Sequence, residues 1–246
     1  MKKFLLSLLM IPAAAFAQDE IETDRPDQTE TVAIVPKGHF QMENGFQHTQ
    51  SGKGASDLLL PTSLSKFGIS NKIELRLITD LVYNRAADSS ATGLEPIVLG
   101  VKVNLWKQKG LLPEFSVIAQ AQLPKLASKN LQTKHIAPEI QLLFENTITD
   151  DIDVGYNIDA RWDGVSTNPE YEYTFSPSYK FTDKLKGYVE SFGYLPPHQH
   201  ADHWVDGGLI FLINKNVQID IAGAFELSSH QHFHQYYETL GFSFRI

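Results

Sequence analysis

The chain contains no cysteine. A secreted chain without thiols has no disulfides to hold it and no thiolate for catalysis, so its stability rests on packing and backbone pairing. It also lacks a basic excess. Its 21 Lys and Arg stand against 29 Asp and Glu, for a formal net charge of −8. Nucleic-acid binding depends on clustered positive charge, which is missing here. No apolar run approaches the ~18 residues of a membrane-crossing helix. No HExxH, phosphate-cradling glycine loop or Ser-His-Asp grouping occurs, and the sequence gives no reason to expect an enzyme.

What is present begins with an export signal. Lys2 and Lys3 precede an apolar run from Phe4 to Phe16, and Ala15-Phe16-Ala17 is a small-x-small cleavage site. Residues 1–17 are therefore expected to be removed, leaving a polar segment at 18–37 and a main domain at 38–246. The mean hydropathy is slightly negative, as in a soluble protein, but the average hides an alternation. In "KIELRLITDLVYNR" Ile73, Leu75, Leu77, Leu81 and Tyr83 share one parity, and Glu74, Arg76, Asp80 and Asn84 the other. A period of two is the strand signal, because successive side chains point to opposite faces. The pattern recurs in Glu95–Trp106, Phe115–Leu123, Ile136–Phe144, Ile152–Trp162, Tyr171–Phe181, Val217–Leu227 and Leu240–Ile246. Four more segments read as strands with weaker parity: Gly38–His48, Asp57–Ile69, Leu185–Leu195 and His203–Ile213. Leu58-Leu59-Leu60-Pro61 interrupts the second of these and predicts a bulge. The sum is twelve strands and no convincing helix after the signal.

Short turns alternate with long polar connections. "GISNKIEL", "TITDDIDV", "KFTDKLKG" and "LINKNVQI" repeat one tight-turn design, while Thr49–Ser56, Ala86–Leu94, Pro124–His135, Asp163–Pro169, Pro196–Asp202 and Ser228–His234 are longer. This is an antiparallel up-and-down meander. A soluble periplasmic β-barrel binding protein would turn the apolar face inward; an outer-membrane β-barrel would turn it outward. Segments of about ten to thirteen residues match the 9–11 that cross a bilayer when tilted. Twelve strands exceed what a side-chain-filled soluble barrel usually closes. An even strand number with short periplasmic turns and long extracellular loops is the outer-membrane pattern. Aromatics on the apolar parity, among them Trp106, Phe144, Tyr156, Trp162, Tyr171 and Phe242, fit interfacial girdles. The lipid bilayer is thus an expected partner. The lumen-facing set is then Glu74, Arg76, Asp80, Lys102, Glu139, Glu145, Asp153, Asp159, Arg161, Glu172, Lys180, Asp220, Glu226 and Arg245.

"TDRPDQT" (Thr23–Thr29), "VPKGHFQMENGF" (Val35–Phe46) and "SKFGISNKIELRL" (Ser65–Leu77) resemble the start of the bacterial outer-membrane family named for the MetA pathway of phenol degradation. With the meander behind them, the resemblance spans the mature chain. It implies an outer-membrane barrel that acts as a porin-like channel or transporter for small solutes, hydrophobic or aromatic compounds among them. Many such barrels end in an aromatic residue; this chain ends in Ile246, with Phe244 and Phe242 on the same face.

Glu22–Pro36 is polar and lacks strand periodicity. It either hangs in the periplasm or folds into the lumen as a plug, where Asp24-Arg25-Pro26-Asp27 could pair with wall charges such as Arg76 or Arg161. Six of the nine histidines fall in two loops, His198, His200 and His203 in one and His230, His232 and His234 in the other. At every second position of an extended segment they face one way, so imidazoles there could capture Zn²⁺ or Cu²⁺ at the extracellular rim. The strand map places both loops beside each other on that rim. This makes a barrel-anchored surface binding module the alternative to the channel. Oligomeric state is not legible, since lipid-facing and subunit-facing apolar surfaces look alike.

Overall fold

Period-two stretches joined by tight turns build consecutive antiparallel pairs, and the ends of the chain meet. The computed structural model describes residues 20–52, 54–86, 89–227 and 234–246; the expected export signal lies outside the described residues. The strands are β1 (Phe40–Gly52), β2 (Ala55–Ser70), β3 (Ile73–Ala86), β4 (Ser89–Leu94), β5 (Ile97–Trp106), β6 (Glu114–Leu123), β7 (Ala137–Thr149), β8 (Ile152–Arg161), β9 (Glu170–Thr182), β10 (Leu185–Leu195), β11 (Asp202–Asn214), β12 (Val217–Glu226) and β13 (Tyr236–Arg245). Successive strands pair antiparallel except β4 and β5, which both pair with β3, and β1 pairs with β13 from Gln41↔Arg245 to Gln50↔Tyr236. Phe40 and Ile246 exchange both backbone hydrogen bonds, 2.9 and 2.8 Å, at the closure. A closed ring leaves no edge and pairs the backbone internally, as hydrocarbon requires.

The ring has twelve strands. β3 pairs with β5 over Ile73–Ile78 and with β4 over Leu81–Ala86, so β4 and β5 form one line broken at Glu95-Pro96. Proline has no N–H to give the ladder, which accounts for the break. Part of the expected loop 86–94 is therefore strand, and the β3–β4 ribbon continues beside the far end of β2, past the last pairing with β5. Its outer edge is capped where Ser128 donates its N–H to the Leu94 carbonyl and accepts the Leu94 N–H on Oγ, both 2.9 Å. The loop around Ser128 holds two single 3₁₀ turns, Pro124–Leu126 and Lys129–Leu131. The expected bulge in β2 is present: Leu60 and Pro61 stand out of register against both β1 and β3.

The apolar parity looks outward. Leu75, Leu99, Ile158, Phe175, Ile221 and Leu240 are about half exposed, while Lys66, Lys102, Glu43 and Glu74 are essentially inaccessible. A water-soluble barrel has the reverse arrangement, so this is an outer-membrane barrel. Near the short-turn end Trp106, Phe115, Phe144 and Tyr156 step around the outer surface on successive strands. Their ring centroids lie 4.7, 4.7 and 5.4 Å apart. This ladder has the position and composition of an interfacial girdle.

Candidate lumen site

Residues 20–37 run inside the ring. Ile21 donates its N–H to the Lys215 carbonyl at the β11–β12 turn (2.8 Å), which places the start of the segment at the short-turn mouth. The segment crosses the lumen, reaches its far side at Gln28 and Thr29, and leaves at Gly38, bonded to the Gly68 carbonyl (2.8 Å). Gly38 has φ +80°, a left-handed conformation that glycine takes without strain.

Asp24 is the hub on the β1–β5 side. Its carboxylate accepts from Lys66 Nζ (2.8 Å), Arg76 Nη1 (2.8 Å), Lys102 Nζ (2.9 Å) and the Thr31 N–H (3.1 Å). Burial works to raise its pKa, but Lys102, Lys66 and Arg76 outweigh burial and hold the carboxyl well below its usual range. Arg76 Nη2 also donates to both carboxylate oxygens of Glu30, 2.9 and 2.8 Å, while its Nη1 serves Asp24 and Glu74. Glu43 accepts the Asp24 N–H and Glu74 the Val35 N–H, both at 2.9 Å. The three wall cations are fully buried, so each depends on these partners. Arg25 reaches the opposite wall, bonding Asp220 (3.0 Å) and Thr239 Oγ1 (2.8 Å). It fits because Gly45 and Gly241 are cross-strand partners; a Cβ on either would collide with the guanidinium. Val32 adds an apolar anchor against Ile118 and Leu143.

The β6–β9 side is different. Glu139 accepts from Gln120 (2.8 Å) and Gln141 (2.7 Å), and Arg161 bonds Glu170 (3.1 Å) and Glu172 (2.9 Å). Of the two arginines expected to meet the N-terminal segment, only Arg76 does so. Asp159 is buried, and its Oδ1 has no hydrogen-bond partner. Farther round, Glu190 accepts the Gln28 N–H (2.8 Å) and the Thr29 hydroxyl (2.5 Å). Asp206, opposite Glu190 on β11, accepts from Tyr237 (3.0 Å) and, more weakly, Tyr188 (3.4 Å).

The other residues of the sequence-derived set lie as follows. Asp80 accepts from the Thr62 hydroxyl, Glu226 accepts the Gln235 N–H (2.9 Å), and Arg245 donates to Asn216 Oδ1 (2.9 Å). Glu145, Asp153 and Lys180 border a cavity of about 310 Å³ at the short-turn mouth, between the inserted segment and strands β7 to β12. Sequence parity missed Glu43, Lys66, Glu190 and Asp206, all on strands with weak alternation. It also missed an aromatic wall: Phe192 stacks on Trp204 (5.9 Å), and Tyr194 and Tyr237 flank the pair. These rings lie on the parity of Glu190 and Asp206, away from lipid.

The histidine loops are engaged in other ways. His203 Nδ1 bonds the Tyr173 hydroxyl (2.8 Å), and His234 bonds the Glu226 carbonyl (2.9 Å) while stacking on Phe225 (5.2 Å). His198 sits at φ 62° in its turn. His230 and His232 lie outside the described residues. Among the described residues, no three of His, Asp and Glu are gathered into a metal-binding group.

The model of the MetA-pathway-of-phenol-degradation family matches residues 23–246. No curated protein sequence matches the chain. Among solved structures, an outer membrane channel from Pseudomonas putida F1 superposes with a TM-score of 0.68 at 9% identity, covering 92% of this chain and 100% of that one. The NanC porin gives 0.58 at 10% identity over 83% and 98%, and the KdgM porin 0.54 at 13% over 82% and 98%. At these identities the likeness is one of fold.

Proposed function

Because the chain belongs to the MetA-pathway-of-phenol-degradation family and folds as a closed outer-membrane barrel, we propose that it is a channel for small solutes plugged by its own residues 20–37. The observation that carries the reading is the bonding of that segment to side chains of opposite walls: Asp24 to Lys66, Arg76 and Lys102, Arg25 to Asp220, and the Gln28 N–H and Thr29 hydroxyl to Glu190. These charges hold the plug and set selectivity when it moves. With the plug seated, the basic residues are matched and the free charge of the wall is acidic, favouring cations and neutral solutes over anions. The stacked Phe192–Trp204 pair is buried against Tyr237 while the plug is seated, and it is the face on which small hydrophobic or aromatic compounds pack once the plug moves.

Planar-bilayer recording tests this. The full chain is expected to conduct weakly, and deletion of residues 20–34 to raise conductance several-fold with cation preference. Phenol should reduce the current of the deleted form, and Trp204→Ala should relieve that block. Absence of any ion-permeable state in both forms would end the channel reading.

A further inference from the structure

The acidic side of the lumen contains a feature that the plug does not use. Gln120 on β6, Glu139 and Gln141 on β7, and Asp159 and Arg161 on β8 face inward in one neighbourhood: Gln120 is opposite Glu139, Gln141 opposite Asp159, and Asp159 opposite Glu172 of β9. Both glutamine amides give their N–H to the same carboxylate, Gln120 to Glu139 Oε2 (2.8 Å) and Gln141 to Glu139 Oε1 (2.7 Å). That fixes each amide and leaves its carbonyl oxygen as the free end. Gln120 Oε1, Gln141 Oε1 and Asp159 Oδ1 are all inaccessible to water and all without a hydrogen-bond partner. The three residues are 8, 6 and 4% exposed, so nine-tenths or more of each is buried.

Three orphaned atoms on three neighbouring strands, every one an acceptor, are unfavourable in a bare protein. A buried acceptor without a donor loses its hydration and gains nothing in return. More water does not resolve the charge, because Glu139, Asp159 and Glu172 place three carboxylates here against one guanidinium. Arg161 is already committed, to Glu170 and Glu172, and lies over the Tyr194 ring (4.8 Å). With Glu170 counted, four acidic side chains share this one guanidinium. Amide carbonyls and carboxylates on one stretch of three neighbouring strands, with no nitrogen or sulfur ligand among them, offer hard oxygen donors.

We propose that this wall binds Ca²⁺, held by Asp159 and the Gln120 and Gln141 carbonyls, with Glu139 orienting both amides and supplying countercharge. Calcium takes six to eight oxygens in flexible geometry, amide carbonyls among them, whereas magnesium demands a tight octahedron and keeps its waters. The site is separate from the Asp24 latch and requires no ion conduction, so it stands or falls independently of the channel.

The test is isothermal titration of the full-length chain in detergent with CaCl₂, with heat-modifiable migration confirming the fold of each variant. One saturable site is expected. Asp159→Asn should weaken it by roughly tenfold or more, and Gln141→Leu several-fold, since ligand charge and count set affinity. Asp163→Asn, on an exposed loop, should leave it unchanged. If Asp159→Asn fails to fold, Gln120→Leu and Gln141→Leu together carry the test. No saturable uptake by the native chain, or affinity indifferent to these substitutions, would overturn the site. Mg²⁺ binding as tightly as Ca²⁺ would overturn the calcium assignment.

Discussion

The two sides of the lumen use the same chemistry with opposite results. On the β1–β5 side, Glu43 and Glu74 meet Lys66, Arg76 and Lys102, and Asp24 and Glu30 of the plug complete the charge. On the β6–β9 side, Glu139, Asp159 and Glu172 have Arg161 alone, and acceptors are left over. Buried charge is tolerated where partners are supplied and is strained where they are not. The plug therefore behaves as a component of the basic wall, and the acidic wall is the side open to a mobile ion.

Removing the hub should break the comparison most severely. Asp24→Ala leaves three buried cations short of a partner, and breaking such a network costs about 3–5 kcal/mol. The expected outcome is an unseated plug: protease cleavage within residues 20–37 and raised conductance from an otherwise intact, heat-modifiable barrel. Acid should approach the same state by a different route. Asp24 titrates below its unfolded value, so its contribution is complete above about pH 4 and is lost as the pH falls through the depressed folded value. Plug protection should hold from neutral pH to about 4 and fail only in stronger acid. Failure near pH 6 would assign the latch to another group.

Gly241→Ala is the next largest effect. The added methyl collides with Arg25 and Asp220, and overpacking of this kind costs about 1–3 kcal/mol. Because Arg25 anchors the plug to β12 and β13, the substitution should loosen the plug at that wall and leave the Asp24 side seated. Partial proteolysis that begins near Arg25 would show it.

Much of the ring was legible because lipid imposes a simple rule on strands such as β3, β5 and β12, with apolar side chains on one parity and polar on the other. The rule blurs where the lumen is not uniformly polar. In β10, Tyr188, Phe192 and Tyr194 face inward while Ser191 and Gly193 face outward. In β11, Trp204 and Asp206 share one face, with Ile210 and Leu212 following on the same parity at the cavity. Alternation there carries little contrast, so Glu190, Asp206 and the aromatic wall were invisible to it. The plug was legible only as a polar segment with charges to pair. Its partners depend on which strands close the ring, and no local pattern encodes the Gly45–Gly241 niche. The β4 extension reads as a loop in the sequence because Ser89–Leu94 is short and has no apolar face.

The smallest effect is the most discriminating. Asp159→Asn removes one carboxylate from the acidic wall and should cost almost nothing without calcium. Its Oδ1 has no bond to lose, Glu172 lies opposite as a like charge, and the new amide can donate across the strand pair to Gln141 Oε1. Satisfying that acceptor offsets the change, so chelated native and variant chains should differ by no more than about 1 kcal/mol in thermal unfolding. Adding Ca²⁺ should then separate them, because a ligand at 100 times the native Kd stabilises the native chain by about 2.7 kcal/mol and a chain that binds it tenfold more weakly by only about 1.4 kcal/mol. If Asp159→Asn destabilises the chelated protein as strongly as Asp24→Ala does, the acidic wall is paired after all, and the contrast between the two sides disappears.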